Sequence, residues 1–131
     1  MNTLEQAREY FSKDIFATEA TGIVITDVKE RYARCELKIE PKHLNAGNQV
    51  MGGAIYTLAD LTFAVAANSM GVHTVTASSN ISFLTTCKGD ILIAEANVIR
   101  DGRTSCVYEV RVKDNLGTLV AFVTVSGAHV G

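Results

Sequence analysis

Between Lys42 and Lys88 the sequence carries one formally charged residue, Asp60. It stands inside "VMGGAIYTLADLTFAVAANSMG", residues 50–71, where nearly every other position is apolar or small. A carboxylate in such surroundings is costly unless it is hydrogen-bonded, faces a solvent pocket or keeps its proton. Two readings follow. Perturbed buried carboxylates cluster at functional sites, and structural networks hold them too, here through a neighbouring backbone group or Thr57.

Other chemistries find little support. The three histidines, His43, His73 and His129, accompany no G-x-S-x-G elbow, and each read singly is a surface or capping residue. Cys35, Cys87 and Cys106 form no CxxC pair and no His/Cys cluster with zinc spacing, so free thiols and no metal are expected. No phosphate-binding loop is present. Gly52, eight residues before Asp60, lies about 12 Å away along a helix axis. Its N–H, in the first turn, would sit at the positive end of the helix dipole, and glycine lets a ligand carbonyl approach closely. The two groups cannot touch on one helix. Symmetric pairing of two helices would let them bracket a substrate.

The elements that must position these groups follow from periodicity. Residues 3–13 read as a short amphipathic helix capped by Thr3, with Leu4, Ala7 and Phe11 on one face. In "YARCELKIE", Ala33, Cys35, Leu37 and Ile39 alternate with charged residues, a half-exposed strand that "GIVITDVKE" would pair as a hairpin. "PKHLNAGNQV" reads as a loop. Gly52-Gly53 opens the central helix and Gly71 can close it. "HTVTASSNISFL", "DILIAEANVIR", "TSCVYEVRVK" and "TLVAFVTVSGAH" follow as strands, separated by "KGD", "DGR" and "DNLG" turns. The order implies a single α+β domain over residues 1–131, with an antiparallel sheet wrapping a long apolar helix. One sheet covers one side of such a helix, so a second copy of the chain is expected to cover the rest.

Composition agrees. The chain has 131 residues, 47% hydrophobic and 20% charged, as a globular domain does. A net charge of −2 leaves no basic footprint for nucleic acid or anionic membrane. The opening "MNTLEQAREYFSKD" has no apolar signal segment, and the apolar run Ala54 to Ala67 is shorter than a membrane span. A cytoplasmic protein is expected.

"HLNAGNQVMGGAIYTLADLTFAVAANSMG" resembles the signature of hotdog-fold acyl-CoA thioesterases of the phenylacetic-acid-pathway (PaaI-like) group, roughly N-x-x-G-x-x-H-G-G-x-x-x-x-L-x-D. "TASSNISFLTTCKGD", "VIRDGRT" and "DNLGTLVAFVTVSG" extend the resemblance over nearly the whole chain after residue 20. It implies a hotdog fold, a long central helix inside a curved antiparallel sheet, assembled as a homodimer or dimer of dimers. The implied activity is hydrolysis of an acyl-CoA to free acid and CoA, with no cofactor beyond the CoA of the substrate. Asp60 matches the catalytic carboxylate, general base or nucleophile, and Gly52 the residue whose N–H polarises the thioester carbonyl. Asn45 matches an asparagine that the partner subunit contributes, and Thr76 a Ser or Thr near the water. Met51, Gly53, Ser78 and Phe83 fall at substrate-facing positions, and Arg100, Arg103 and His129 where the CoA portion is contacted. One departure stands out: the family's histidine before the glycine pair is Met51, only a weak acceptor. A non-catalytic acyl-CoA binding module on the same fold is therefore the alternative. A dehydratase, the third class, usually relies on a histidine that the central segment lacks.

Overall fold

The computed structural model describes residues 3–130. Its first helix, α1 (Leu4–Phe11), starts where Thr3 Oγ1 accepts the Gln6 N–H (3.2 Å), and Ala7 and Phe11 are its buried face. A π-helical turn, Phe16–Thr21, follows, and Gly22 ends it in the left-handed region (φ 89°). The sequence shows no period there. What holds the turn is tertiary: the Thr21 carbonyl accepts from His43 Nε2 at 2.7 Å.

Strands β1 (Val24–Lys29) and β2 (Tyr32–Lys38) form the expected hairpin, with Ala33, Cys35 and Leu37 buried. The central helix α2 (Gly52–Ala67) comes next. It ends before Gly71: the Asn68 side chain donates to the Ala64 and Thr74 carbonyls and accepts the Thr74 N–H, tying off the last turn and starting the next strand. That local competition with the helix is what asparagine does well.

Strands β3 (Thr74–Phe83), β4 (Ile91–Asp101), β5 (Ser105–Asp114) and β6 (Leu119–His129) complete one antiparallel sheet in the order β1-β2-β4-β5-β6-β3. The α+β expectation is met, and α2 lies against all six strands. Phe63 packs edge-on against Tyr108 in the core, ring centroids 5.4 Å apart. Among the described residues no buried side-chain polar atom lacks a partner, and no helix is long and apolar enough to cross a membrane. The three cysteines are free thiols, and burial pushes Cys35 up to about 12.

Two surfaces of this copy stay open. On α2, Gly53 and Asp60 are exposed and Ala54, Tyr56, Thr57 and Ala64 half-buried. Enclosure of the helix is thus incomplete in one copy. The other surface is β3, an edge strand exposed over most of its length.

Candidate active site

The loop before α2 folds on Asn45. Its Oδ1 accepts the N–H groups of Gly47 (2.9 Å) and Gln49 (3.1 Å), an Asx-type closure that Asn48, at φ 63°, completes. Asn45 is exposed, and its side-chain NH2 has no partner among the described residues. His43 is buried, with Nδ1 accepting from the Glu40 N–H (2.9 Å). Its Nε2 therefore carries the proton donated to Thr21. It is a capping residue, not a reactive one.

Met51 caps α2, its carbonyl accepting from Ala54 and Ile55. The N–H groups of Gly52 and Gly53 have no acceptor among the described residues, as expected of a helix start. The Phe83 ring lies over Gly52: a Cβ there would come within 3.1 Å of the ring. The missing side chain is what lets the ring lie this close to the helix start.

Asp60 sits mid-helix in a pocket of about 480 Å³ that it shares with Asp14, Phe16, Tyr56 and Leu61. Thr57, the alternative partner, donates instead to the Gly53 carbonyl (2.7 Å). Asp60 has no hydrogen-bond partner among the described residues; its edge is open to solvent, yet desolvation by the pocket walls around it first, and the charge of Asp14 second, raise its carboxyl above the ordinary range. An unbonded carboxylate with raised basicity, facing a pocket, is equipped to accept a proton.

Strand β3 brings a group that periodicity misplaces. A bulge between Thr76 and Ser78 shifts the alternation, so Thr76 lies opposite Gly127 and Ser79 opposite Val125, both on the helix side. Ser78, opposite Ser126, points to the other face of the sheet. Ser79 Oγ and the Tyr56 hydroxyl are 2.6 Å apart, joining β3 to α2 one turn before Asp60. Neither residue stood among the sequence candidates. Tyr56 was within reach of that reading, since it stands four residues before Asp60 on the same helix face.

The candidates for the CoA portion divide. Arg103 and His129 line one pocket of about 370 Å³ beyond the end of α2, together with Arg31 and Met70. There His129 bridges Thr74 Oγ1 and Asp101, each at 2.7 Å, and Arg31 Nε meets Asp101 at 2.7 Å. Burial works against the Asp101 charge, but Arg31 and His129 outweigh it and hold the carboxyl below its usual range. Arg100, exposed and opposite Val107 on the outer face, does not join them. In one copy, Gly52 and Asp60 remain two helical turns apart, with Thr76 and Phe83 on the adjoining edge strand.

Comparisons with known proteins bear on the fold and the family. The family model of the thioesterase superfamily matches residues 47–121. The acyl-coenzyme A thioesterase PaaI of Escherichia coli is 30% identical over 97% of this chain and 91% of its own. The structure of the E. coli PaaI protein superposes with a TM-score of 0.86 at 27% identity, covering 98% of this chain and 97% of that one. A Streptococcus mutans protein solved bound to acetyl-CoA matches at TM-score 0.79 and 29% identity, over 83% of this chain and 89% of its own. A hypothetical thioesterase protein of Streptococcus pneumoniae, solved as separate aspartate-to-alanine and threonine-to-alanine variants, matches at TM-score 0.79 and 25% identity over 83% of this chain and 91% and 90% of those. With the signature from Asn45 to Asp60, the helix inside its sheet and these likenesses together, the chain belongs to the thioesterase superfamily, as a PaaI-like hotdog thioesterase.

Proposed function

We propose that this chain hydrolyses acyl-CoA thioesters to free acid and CoA, and that Asp60 acts as general base on water or as nucleophile. The observation that carries the reading is the Asp60 carboxylate, unbonded and of raised basicity, facing a pocket on the open stripe of α2. As base, Asp60 takes a proton from water while the water oxygen attacks the carbonyl carbon. The carbonyl electron pair moves onto an oxygen held by the Gly52 N–H, with the Asn45 amide as a second donor and Thr76 orienting the water. Collapse breaks the C–S bond, and the departing thiolate recovers the proton from Asp60. The scheme needs no metal or redox cofactor.

Gly52 and Asp60 of one copy are about 12 Å apart along the helix, so the complete site combines Asp60 of one protomer with the loop and helix start of another. The open stripe of α2 and the unpaired edge of β3 are the surfaces for that pairing. Further support comes from spacing: the aspartate and threonine changed in the S. pneumoniae variants are sixteen residues apart, as Asp60 and Thr76 are here.

The test is thiol release over an acyl-CoA panel, beside light scattering at micromolar concentration. Release with a dimer or larger assembly is expected. Saturable binding without release would instead make the chain a binding module, and a clean monomer would remove the shared site. In single turnover in ¹⁸O-water, label found in Asp60 establishes the nucleophilic role, through water attack on the aspartyl carbonyl of the acyl-enzyme anhydride.

A further inference from the structure

The sequence spends a large apolar side chain on solvent at Phe16. That residue is 71% exposed and its neighbour Ile15 60%. Their backbone is nonetheless held at both ends. Thr18 N–H and Oγ1 both donate to the Asp14 carbonyl, each at 2.9 Å, and the Ile23 N–H reaches the Ala17 carbonyl at 3.0 Å. The π-helical turn is further pinned by His43 at Thr21. Such turns are uncommon and concentrate at functional sites. A fixed backbone carrying an unpacked aromatic ring calls for something to cover it.

The surroundings indicate what. Two pockets run along the open stripe of α2, and Phe16 and Thr57 line both. One, about 480 Å³, holds Asp60, with Ile15, Ala17, Leu61 and Ala64 as its apolar walls. The other, about 400 Å³, continues toward the start of α2 over Ala54, Gly53 and Met51. Phe16 is thus the partition between the carboxylate pocket and an apolar extension of it. Both volumes suit small-molecule occupants, and apolar groups share the lining with Lys42 and His43 in the second pocket and with Asp14 and Tyr56 in the first.

We propose that the acyl group of the substrate occupies this trough and that Phe16 sets how long an acyl group is accepted. The proposal rests on the function argued above, because a thioester carbonyl attacked at Asp60 must place its acyl tail beside that residue. With Phe16 in place, an acyl group is confined to the Asp60 side. Without it the two pockets join and the tail can run on toward Met51. The residue selects among substrates and takes no part in bond breaking.

The experiment compares wild type, Phe16→Ala and Phe16→Trp with acetyl-, butyryl-, octanoyl-, dodecanoyl- and hexadecanoyl-CoA. For Phe16→Ala, kcat/KM for the long chains relative to butyryl-CoA should rise by roughly tenfold or more, the range that a few methylenes in an apolar pocket provide. Phe16→Trp should move the preference toward shorter chains. An unchanged chain-length profile in both variants would overturn the proposal. So would a Phe16→Ala protein that loses its oligomeric state with its profile intact, since the ring would then belong to a subunit contact. If wild type releases thiol from none of the series, the hydrolytic function fails, and calorimetric affinities of the same three proteins for the same acyl-CoAs decide the matter. Affinity that tracks chain length and shifts with residue 16 supports the trough, and affinity blind to both overturns it.

Discussion

Asp14, at the entrance to the π-helical turn, and Asp60, in the middle of α2, line the same pocket, and the charge of Asp14 adds to burial in raising the Asp60 carboxyl. A negative charge facing the same space disfavours the ionised form of the Asp60 carboxyl. Asp60 must be ionised to act, so kcat/KM should fall as the pH drops through its pKa. Asp14→Asn removes the neighbouring charge and should shift that acidic limb to lower pH, with Asp14→Glu restoring the wild-type profile. A limb that stays in place in Asp14→Asn would show that the Asp14 charge does not act on the group that governs it.

Asp60→Asn separates chemistry from architecture. A carboxyl whose folded pKa is raised stabilises the fold below its unfolded pKa, and that contribution is lost as pH rises through the folded value. At neutral pH the Asp60 charge therefore works against the fold. The amide should leave Tm unchanged or raise it, while kcat falls by ~10² to 10⁴, the usual range for losing a general base. The measurement is kcat beside a thermal melt. Retained turnover with a lowered Tm would make Asp60 a scaffold residue.

The sequence reveals those parts of the molecule that local chemistry determines. Alternation of Ala33, Cys35 and Leu37 marks β2, the Thr3 hydroxyl marks the start of α1, and β-branched runs between turn residues mark the last four strands. Asp60 and Gly52 stand out for the same reason: one breaks an apolar pattern and the other opens a helix. Features decided by distant partners are not legible in this way. The π-helical turn depends on His43, twenty-two residues from Thr21 in sequence. Ser79, rather than Ser78, faces the helix because a bulge adds a residue to β3, and no local signal announces it. The Asp14–Asp60 pair likewise exists only once the turn folds back over α2.

Met51 tests how the site tolerates its departure from the family pattern. Its side chain is exposed and lines the trough on the far side of Phe16, so a histidine fits there without displacing core. Met51→His adds a hydrogen-bonding group beside the Gly52 N–H. Thioesterase activity should rise, by roughly tenfold or less, about 1.4 kcal/mol of transition-state stabilisation. The check is kcat/KM for wild type and variant on one acyl-CoA. A large loss would show instead that the thioether packs against the native acyl group.

Asp114 should govern the acid limit of the fold. It is buried at the β5–β6 turn, where its two oxygens accept the N–H groups of Lys88, Gly89, Leu116 and Thr118 at 2.9 to 3.1 Å. Burial alone would raise its carboxyl, but the four backbone donors prevail and hold it down to about 2. A carboxylate with a lowered folded pKa stabilises the fold above its unfolded value, near 3.8, and that contribution is lost as pH falls toward the folded one. In Asp114→Asn the amide keeps one acceptor oxygen and turns an NH2 donor toward N–H groups that need acceptors. Thermal melts from pH 7 down to pH 2 should show Tm lowered by about 5 °C or more at neutral pH. They should also show a shallower decline between about pH 4 and pH 2, because the variant no longer has this group to protonate. A decline as steep as that of wild type would assign the acid sensitivity to other carboxylates.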